Sequence, residues 1–237
     1  FDDLEGAKAA IGPQTAAFLV EPIQGEGGGR PASDAFLQGL RALADELDLM
    51  LIFDEVQCGV ARTGKLYAHE HYGIVPDIMA SAKGIGGGFP MGACLATEKA
   101  ARGMGIGTHG STYGGNPLVT SVANAVLDIM LAPGFFEAVR ERAGYLRPKL
   151  EKLVKDHPTV LADARGTGFL LGLRCHVPAG DMVLKLQELG MVVPIAGENV
   201  VRVFPPITTP VSVLDEGIAI IDAACVAFET AKAKENA

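Results

Sequence analysis

The sequence predicts an α/β fold built on a parallel sheet, and three observations predict it. Two continuous apolar runs, Ala16 to Val20 and Leu49 to Phe53, each stop at a carboxylate, Glu21 and Asp54. Neither run alternates, so both read as strands buried on two faces. Between them, residues 34–48 carry Phe36, Leu37, Leu40, Leu43 and Leu47 at helical spacing, which completes a β-α-β unit. A third apolar run, residues 77–82, ends at Lys83 and opens into consecutive glycines.

The elements follow in order. No element is predicted before about residue 15. Ser33 or Asp34 caps the first helix, and Pro31 keeps the chain from entering it earlier. Beyond Lys83, residues 90–97 read as a strand and 98–104 as a short helix. A glycine-rich stretch from Gly103 to Gly115 leads to Asn116-Pro117, an N-cap followed by proline at the first helical position, so a helix is expected over 118–131. Residues 135–156 form a long amphipathic helix interrupted only by Pro148. Gly166-Thr-Gly168 then leads into a strand over 169–173, and 181–189 is helical. Residues 191–194 and 200–204 read as short strands, and a helix over 211–234 closes the chain. The expected organisation is residues 1–134 as part of a large α/β domain, 135–156 as a connecting helix, and 157–237 as a small α+β domain.

Composition bounds the function. The 237 residues are 49% hydrophobic, enough for a sizeable core. A net charge of -8 argues against nucleic acid or an anionic membrane as the main partner. No apolar stretch approaches the roughly 18 residues of a membrane span, and no signal peptide is visible. Cys58, Cys94, Cys175 and Cys225 are scattered and form no CxxC pair, so they read as reduced core or near-core thiols of a cytoplasmic protein. The chain begins at Phe1 and its first strand arrives late, so it reads as the remainder of a longer one.

Ligands of parallel α/β sheets bind beyond the carboxyl ends of the strands. Glu21, Asp54 and Lys83 all fall at such ends. An amine placed there, with glycine backbone beside it, can meet a ligand closely, and a neutral lysine amine forms a Schiff base with a carbonyl. The bland alternative is a lysine snorkelling to water, which the two neighbouring carboxylates make less economical. Gly59 to Leu66 matches a phosphate-binding P-loop except at its last position, where leucine replaces the hydroxyl that would hold magnesium. Gly105 to Gly110 has GxGxxG spacing, yet no strand runs into it and no helix follows directly. His69-Glu-His71 lacks metal-binding spacing and is expected in a solvated loop, so no metal is predicted. Gly110 to Pro117 offers free N–H groups ahead of a helix start, suited to an anion, or else is a flexible loop with a good cap. Arg202, set among apolar residues in Val201 to Pro206, needs an anion, either an internal carboxylate or a substrate's. Glu26, in a glycine-rich turn, is a candidate for the internal partner.

Taken together, Glu21-Pro-Ile-Gln-Gly-Glu26, Asp54-Glu-Val-Gln57, Ala82-Lys83-Gly, Gly110 to Pro117 and Arg202-Val-Phe-Pro-Pro206 resemble the class III pyridoxal-phosphate-dependent aminotransferases. Within that class the segments are most similar to the acetylornithine/ornithine aminotransferases, and they occur in the family's order. The resemblance implies a pyridoxal-phosphate-dependent transferase fold of type I, aspartate aminotransferase-like, with pyridoxal 5'-phosphate as cofactor. It implies that Lys83 bonds the cofactor's aldehyde and later moves the substrate's proton, and that Asp54 pairs with the ring nitrogen. Glu55, Val56 and Gln57 would line the cofactor, with Gln57 near the ring's phenolic oxygen and Val56 under its face. Thr112, with Ser111 beside it, would reach the phosphate or substrate of a neighbouring subunit in a homodimer. Arg202 would hold the substrate α-carboxylate, Glu26 would swing between an arginine and the second substrate, and Glu21 would stand beside them. The implied reaction moves an amino group from N-acetylornithine or ornithine to 2-oxoglutarate, in arginine biosynthesis. The alternatives are 4-aminobutyrate aminotransferase or another class III aminotransferase or aminomutase, and a non-catalytic module that keeps the fold. Family members also carry, upstream, a glycine–serine/threonine phosphate loop, a stacking aromatic residue and an arginine that helps select acetylornithine. None lies in this sequence, so the 237 residues alone are expected to bind cofactor weakly.

Overall fold

The computed structural model describes residues 1–235 and divides them into two units: Phe1–Pro22 with Ala32–Phe136, and Ile23–Pro31 with Glu137 onward. The first is organised by a four-stranded sheet. Strands β1 (Ala17–Val20), β4 (Met50–Asp54) and β5 (Ile78–Ala82) run parallel, and β6 (Gly92–Ala96) closes the sheet antiparallel to β5. Two short strands, β2 (Ile23–Gln24) and β3 (Arg30–Pro31), pair as a separate small hairpin that belongs to the second unit.

One face of the large sheet carries the core. Helix α2 (Asp34–Glu46) starts where Ser33 Oγ accepts the Phe36 N–H, and its Phe36, Leu37, Leu40 and Ala44 pack with Leu51 and Phe53 of β4. Full burial of side chains such as Leu37 and Phe53 contributes about 1.5–3 kcal/mol each. The register pairs Phe18 with Leu51 and Leu19 with Ile52, so the other face presents Leu19, Ile52, Asp54 and Ala80. Leu19 is 71% exposed there. Within this chain β4 and β5 alternate between buried and half-buried positions.

Helix α1 (Leu4–Ala9) opens the chain, capped by Asp3, whose Oδ1 accepts the Gly6 N–H. It is too short to show periodicity and was not anticipated. Helix α3 (Glu98–Ala101) is shorter than expected, and Leu47, taken for part of the α2 stripe, lies past its end and is 44% exposed. Helix α4 (Pro117–Met130) begins as predicted, with Asn116 Oδ1 accepting the Val119 N–H.

In the second unit an antiparallel sheet, ordered β7 (Leu161–Thr167), β8 (Leu170–Cys175), β10 (Val200–Val203) and β9 (Ile195–Ala196), packs with helices α5 (Phe135–Asp156), α6 (Ala179–Glu188) and α7 (Val211–Glu235). Strand β7 was missed: its polar Asp163, Arg165 and Gly166 hide an edge strand. Gly166 makes the hairpin possible, at φ +104° and with a β-carbon position only 1.9 Å from Leu170 O. Residues 191–194 are not a strand; Val192 is 87% exposed and Pro194 has no N–H to donate, so pairing starts at Ile195. Cys58, Cys175 and Cys225 are buried, but Cys94 is exposed on β6. Among the described residues no single helix is long and apolar enough to cross a membrane.

Candidate active site

Three side chains meet the carboxyl edge of the parallel strands. Glu21 follows β1, Asp54 ends β4, and Lys83 follows β5, with Val20 paired to Phe53 and Asp54 to Ala80. Neighbouring strands lie about 4.8 Å apart, so the register puts the Asp54 and Lys83 backbones at one end of adjacent strands. Asp54 leaves the sheet on its open face and anchors the following turn, its Oδ1 accepting the Val56 N–H at 3.0 Å. Lys83 opens a 3-10 turn, Lys83–Gly86, in left-handed backbone at φ +51°. Within this chain the Lys83 residue is exposed. A β-carbon on Gly84 would sit 3.1 Å from the Val60 side chain, which is why the backbone can come this close.

The residue after Asp54 behaves differently. The Glu55 carboxylate is fully buried and turned into the loop that follows, accepting hydrogen bonds from Ala68 N (2.5 Å), His69 N (2.7 Å) and His69 Nδ1 (2.9 Å). Val56 and Gln57 are half-buried in the turn between. The stretch that mimics a P-loop is part of the same loop, and it runs on to a 3-10 turn at Ala68–His71 rather than to a phosphate-binding helix. His69 is half-buried against Glu55 rather than solvated, whereas His71 at the end of the 3-10 turn is exposed, as expected. His71 Nε2 lies 3.1 Å from Thr63 Oγ1, and burial with the nearby Lys65 charge pulls its pKa down. No group of three or more His, Cys, Asp or Glu among the described residues could hold a metal ion.

Ser111 and Thr112 lie in an exposed loop, where Ser111 Oγ accepts the Gly114 N–H at 2.8 Å. Neither hydrogen-bonds to Lys83 or Asp54 within this chain. The helix they precede does reach the lysine turn: a β-carbon on Gly87 would meet Val126 of α4 at 2.8 Å.

In the second unit Arg202 has an internal partner, as its apolar setting required. Its Nη1 donates to Glu26 Oε1 at 2.5 Å, and its guanidinium lies 5.1 Å from the centre of the Phe204 ring. Arg202 is 14% exposed at the side chain and Glu26 67%, so the arginine is the more buried end of the pair. A cavity of about 440 Å³ beside Arg202 is lined by Met191, Val193, Phe204 and Leu214. The Glu26 turn is tied down by Gly197 N donating to Glu26 O, and by a charge chain that sequence reasoning missed. Arg30 pairs with Glu198, Glu198 with Arg165, Arg165 with Asp163, and Asp163 with Arg174. The available signal was Asp163 and Arg165 two residues apart, on one face of a strand.

Residues 1–225 match the family described as Aminotransferase class-III. The chain belongs to the class-III aminotransferase family. It is 49% identical over 235 residues to acetylornithine aminotransferase 1 of Bradyrhizobium diazoefficiens, covering 99% of this chain and 58% of that protein. The chain thus spans little more than half the length of that curated relative. Among solved structures it is similar to the ornithine aminotransferase of Plasmodium yoelii (34% identity, TM-score 0.90, covering 96% of this chain and 61% of that one). It is also similar to the N-acetylornithine aminotransferase of Stenotrophomonas maltophilia (33% identity, TM-score 0.87, 98% and 62%). The architecture of this class-III chain is accordingly the pyridoxal-phosphate-dependent aminotransferase fold, covering part of the large domain.

Proposed function

We propose that this class-III chain serves pyridoxal-phosphate-dependent transamination, moving the amino group of N-acetylornithine or ornithine to 2-oxoglutarate to give a semialdehyde and glutamate. The observation that carries the reading is the placement of Asp54 and Lys83 at the same edge of adjacent parallel strands, with Asp54 in register with Ala80. A carboxylate and an amine there fit the two ends of a substituted pyridine aldehyde. The cofactor, when bound, supplies an aldehyde carbon for attachment and a ring that accepts an electron pair.

The chain's own residues then have distinct tasks. Lys83 Nζ would be the amine that holds the cofactor's aldehyde carbon and the base that would move a proton at the substrate Cα. Asp54, with Oδ1 already engaged by Val56 N–H, holds a proton on the ring nitrogen through Oδ2. Gln57 offers a donor to the phenolic oxygen, and Val56 supplies apolar surface to the ring. Thr112, with Ser111, serves the phosphate or substrate of a second subunit in a homodimer. Arg202 takes the α-carboxylate, and Glu26, being largely exposed, gives up its ion pair at small cost, on the order of 1 kcal/mol, to let a substrate carboxylate in. Glu21 stays at the end of β1 beside this chemistry.

The 237 residues by themselves are expected to hold the cofactor weakly. The test is borohydride reduction of the chain mixed with pyridoxal phosphate, followed by mass analysis. A pyridoxyl group on Lys83 that disappears when glutamate is added first supports the reading. Labelling spread over other lysines with Lys83 untouched refutes it and favours a non-catalytic module.

A further inference from the structure

We propose that Glu55 is a positioning residue for Lys83: its carboxylate holds the loop of residues 56–69 in the conformation that seats the lysine turn. The inference rests on the reading of Lys83 as the attachment point, and it gives the neighbour of Asp54 a task that needs no contact with the cofactor.

Three N–H groups converge on a side chain with no exposure at all. That donor set suits an ionised, acceptor-only carboxylate, and a buried charge without such donors would be prohibitively costly. The far end of the loop is thereby fastened to the residue next to Asp54. In between, Val60 and Ala61 are buried and left-handed, at φ +54° and +64°. Two successive non-glycine residues stay in that region only where the surroundings impose it.

The fastened loop then grips the exit of β5 at two points. Tyr67 Oη donates to Ser81 Oγ at 3.3 Å, and the Val60 side chain lies against Gly84 where a β-carbon would come within 3.1 Å of it. Lys83, itself left-handed, lies between those two contacts. Tyr67 also stacks on His69, 5.9 Å between ring centres at 18°, which joins the clamp to the grip. Glu55 therefore acts on the lysine through Tyr67 and Val60.

The test compares amide hydrogen exchange in the wild-type chain, Glu55→Gln and His69→Ala, all without cofactor. Glutamine keeps the shape but turns an NH2 toward N–H groups. Exchange should quicken about tenfold or more at residues 66–69 and also at 81–86, while α2 and the second unit are unchanged. His69→Ala removes one of the three donors and should give a smaller change at the same places, which decides the matter if Glu55→Gln does not fold. Faster exchange confined to 66–69, or spread equally over α2, would overturn the inference. A second arm follows the pH profile of pyridoxal phosphate attachment to Lys83 by absorbance. Its midpoint should move in Glu55→Gln, and an unmoved midpoint counts against the positioning role. If wild-type Lys83 is never labelled, the functional reading fails, while the exchange comparison still decides the positioning role.

Discussion

Replacing His157 with glutamine probes how the last helix is held. His157 follows α5, its N–H bonded to Leu153 O, and its ring is 7% exposed. Nε2 lies 2.9 Å from Asp222 Oδ1 and Nδ1 3.1 Å from Glu229 Oε2, both on α7. Only the imidazolium can donate at both nitrogens. Burial alone would lower its pKa, but its hydrogen bonds to Asp222 and Glu229 and their charges outweigh it, and the pKa is raised. Charge-assisted hydrogen bonds contribute about 1.5–3 kcal/mol when buried. Asp222 is 51% and Glu229 34% exposed at the side chain, so solvent screening reduces the pair to about 1–2 kcal/mol in total. Because the folded pKa is raised, this contribution is complete below the ordinary value of 6.5 and is lost as pH rises through the folded one. Cys225, between the two acids on α7, does not intrude, since burial and its neighbours push its thiol up to about 12. Urea unfolding of wild type and His157→Gln should show the gap near pH 5.5 and almost none near pH 9.5. A gap that is equal at both values, or larger at high pH, refutes the reasoning.

Gly166→Ala should destabilise the chain by roughly 3 kcal/mol or more, read as a lower urea midpoint, because its β-carbon would overlap Leu170 O in left-handed backbone. Asp54→Asn should weaken pyridoxal phosphate binding tenfold to about a hundredfold by titration, the loss of one charged hydrogen bond, without changing the unfolding midpoint. Glu26→Gln should release Arg202 and tighten 2-oxoglutarate binding about fivefold in calorimetry; weaker binding would mean that Glu26 is not the competitor.

Much of this molecule is legible locally. Asn116-Pro117 and Ser33 announce their helices because a cap satisfies N–H groups a few residues away. The apolar runs into Asp54 and Lys83 announce strands, and the segments around them carry the resemblance to the class-III family. Arg202 announces that it needs an anion, because a guanidinium among valines is costly without one. Helix α1 and strand β7 escaped, the first for being a turn and a half long, the second because an edge strand tolerates the polar residues that disguise it.

What stayed hidden shares one cause: contacts between residues far apart in sequence leave no periodic trace. That Glu55 turns away from its neighbour Asp54 to receive Ala68 and His69, that Asp163 and Glu198 link three arginines, and that His157 sits between Asp222 and Glu229 all depend on loops and helices closing in space. Residue type and order determined the strand ends, the caps and the chemistry on offer. Only tertiary structure decided where the Glu55 carboxylate turns, how the arginines around Glu198 are linked, and that Glu26 is the carboxylate Arg202 finds, because pairing is a property of packing.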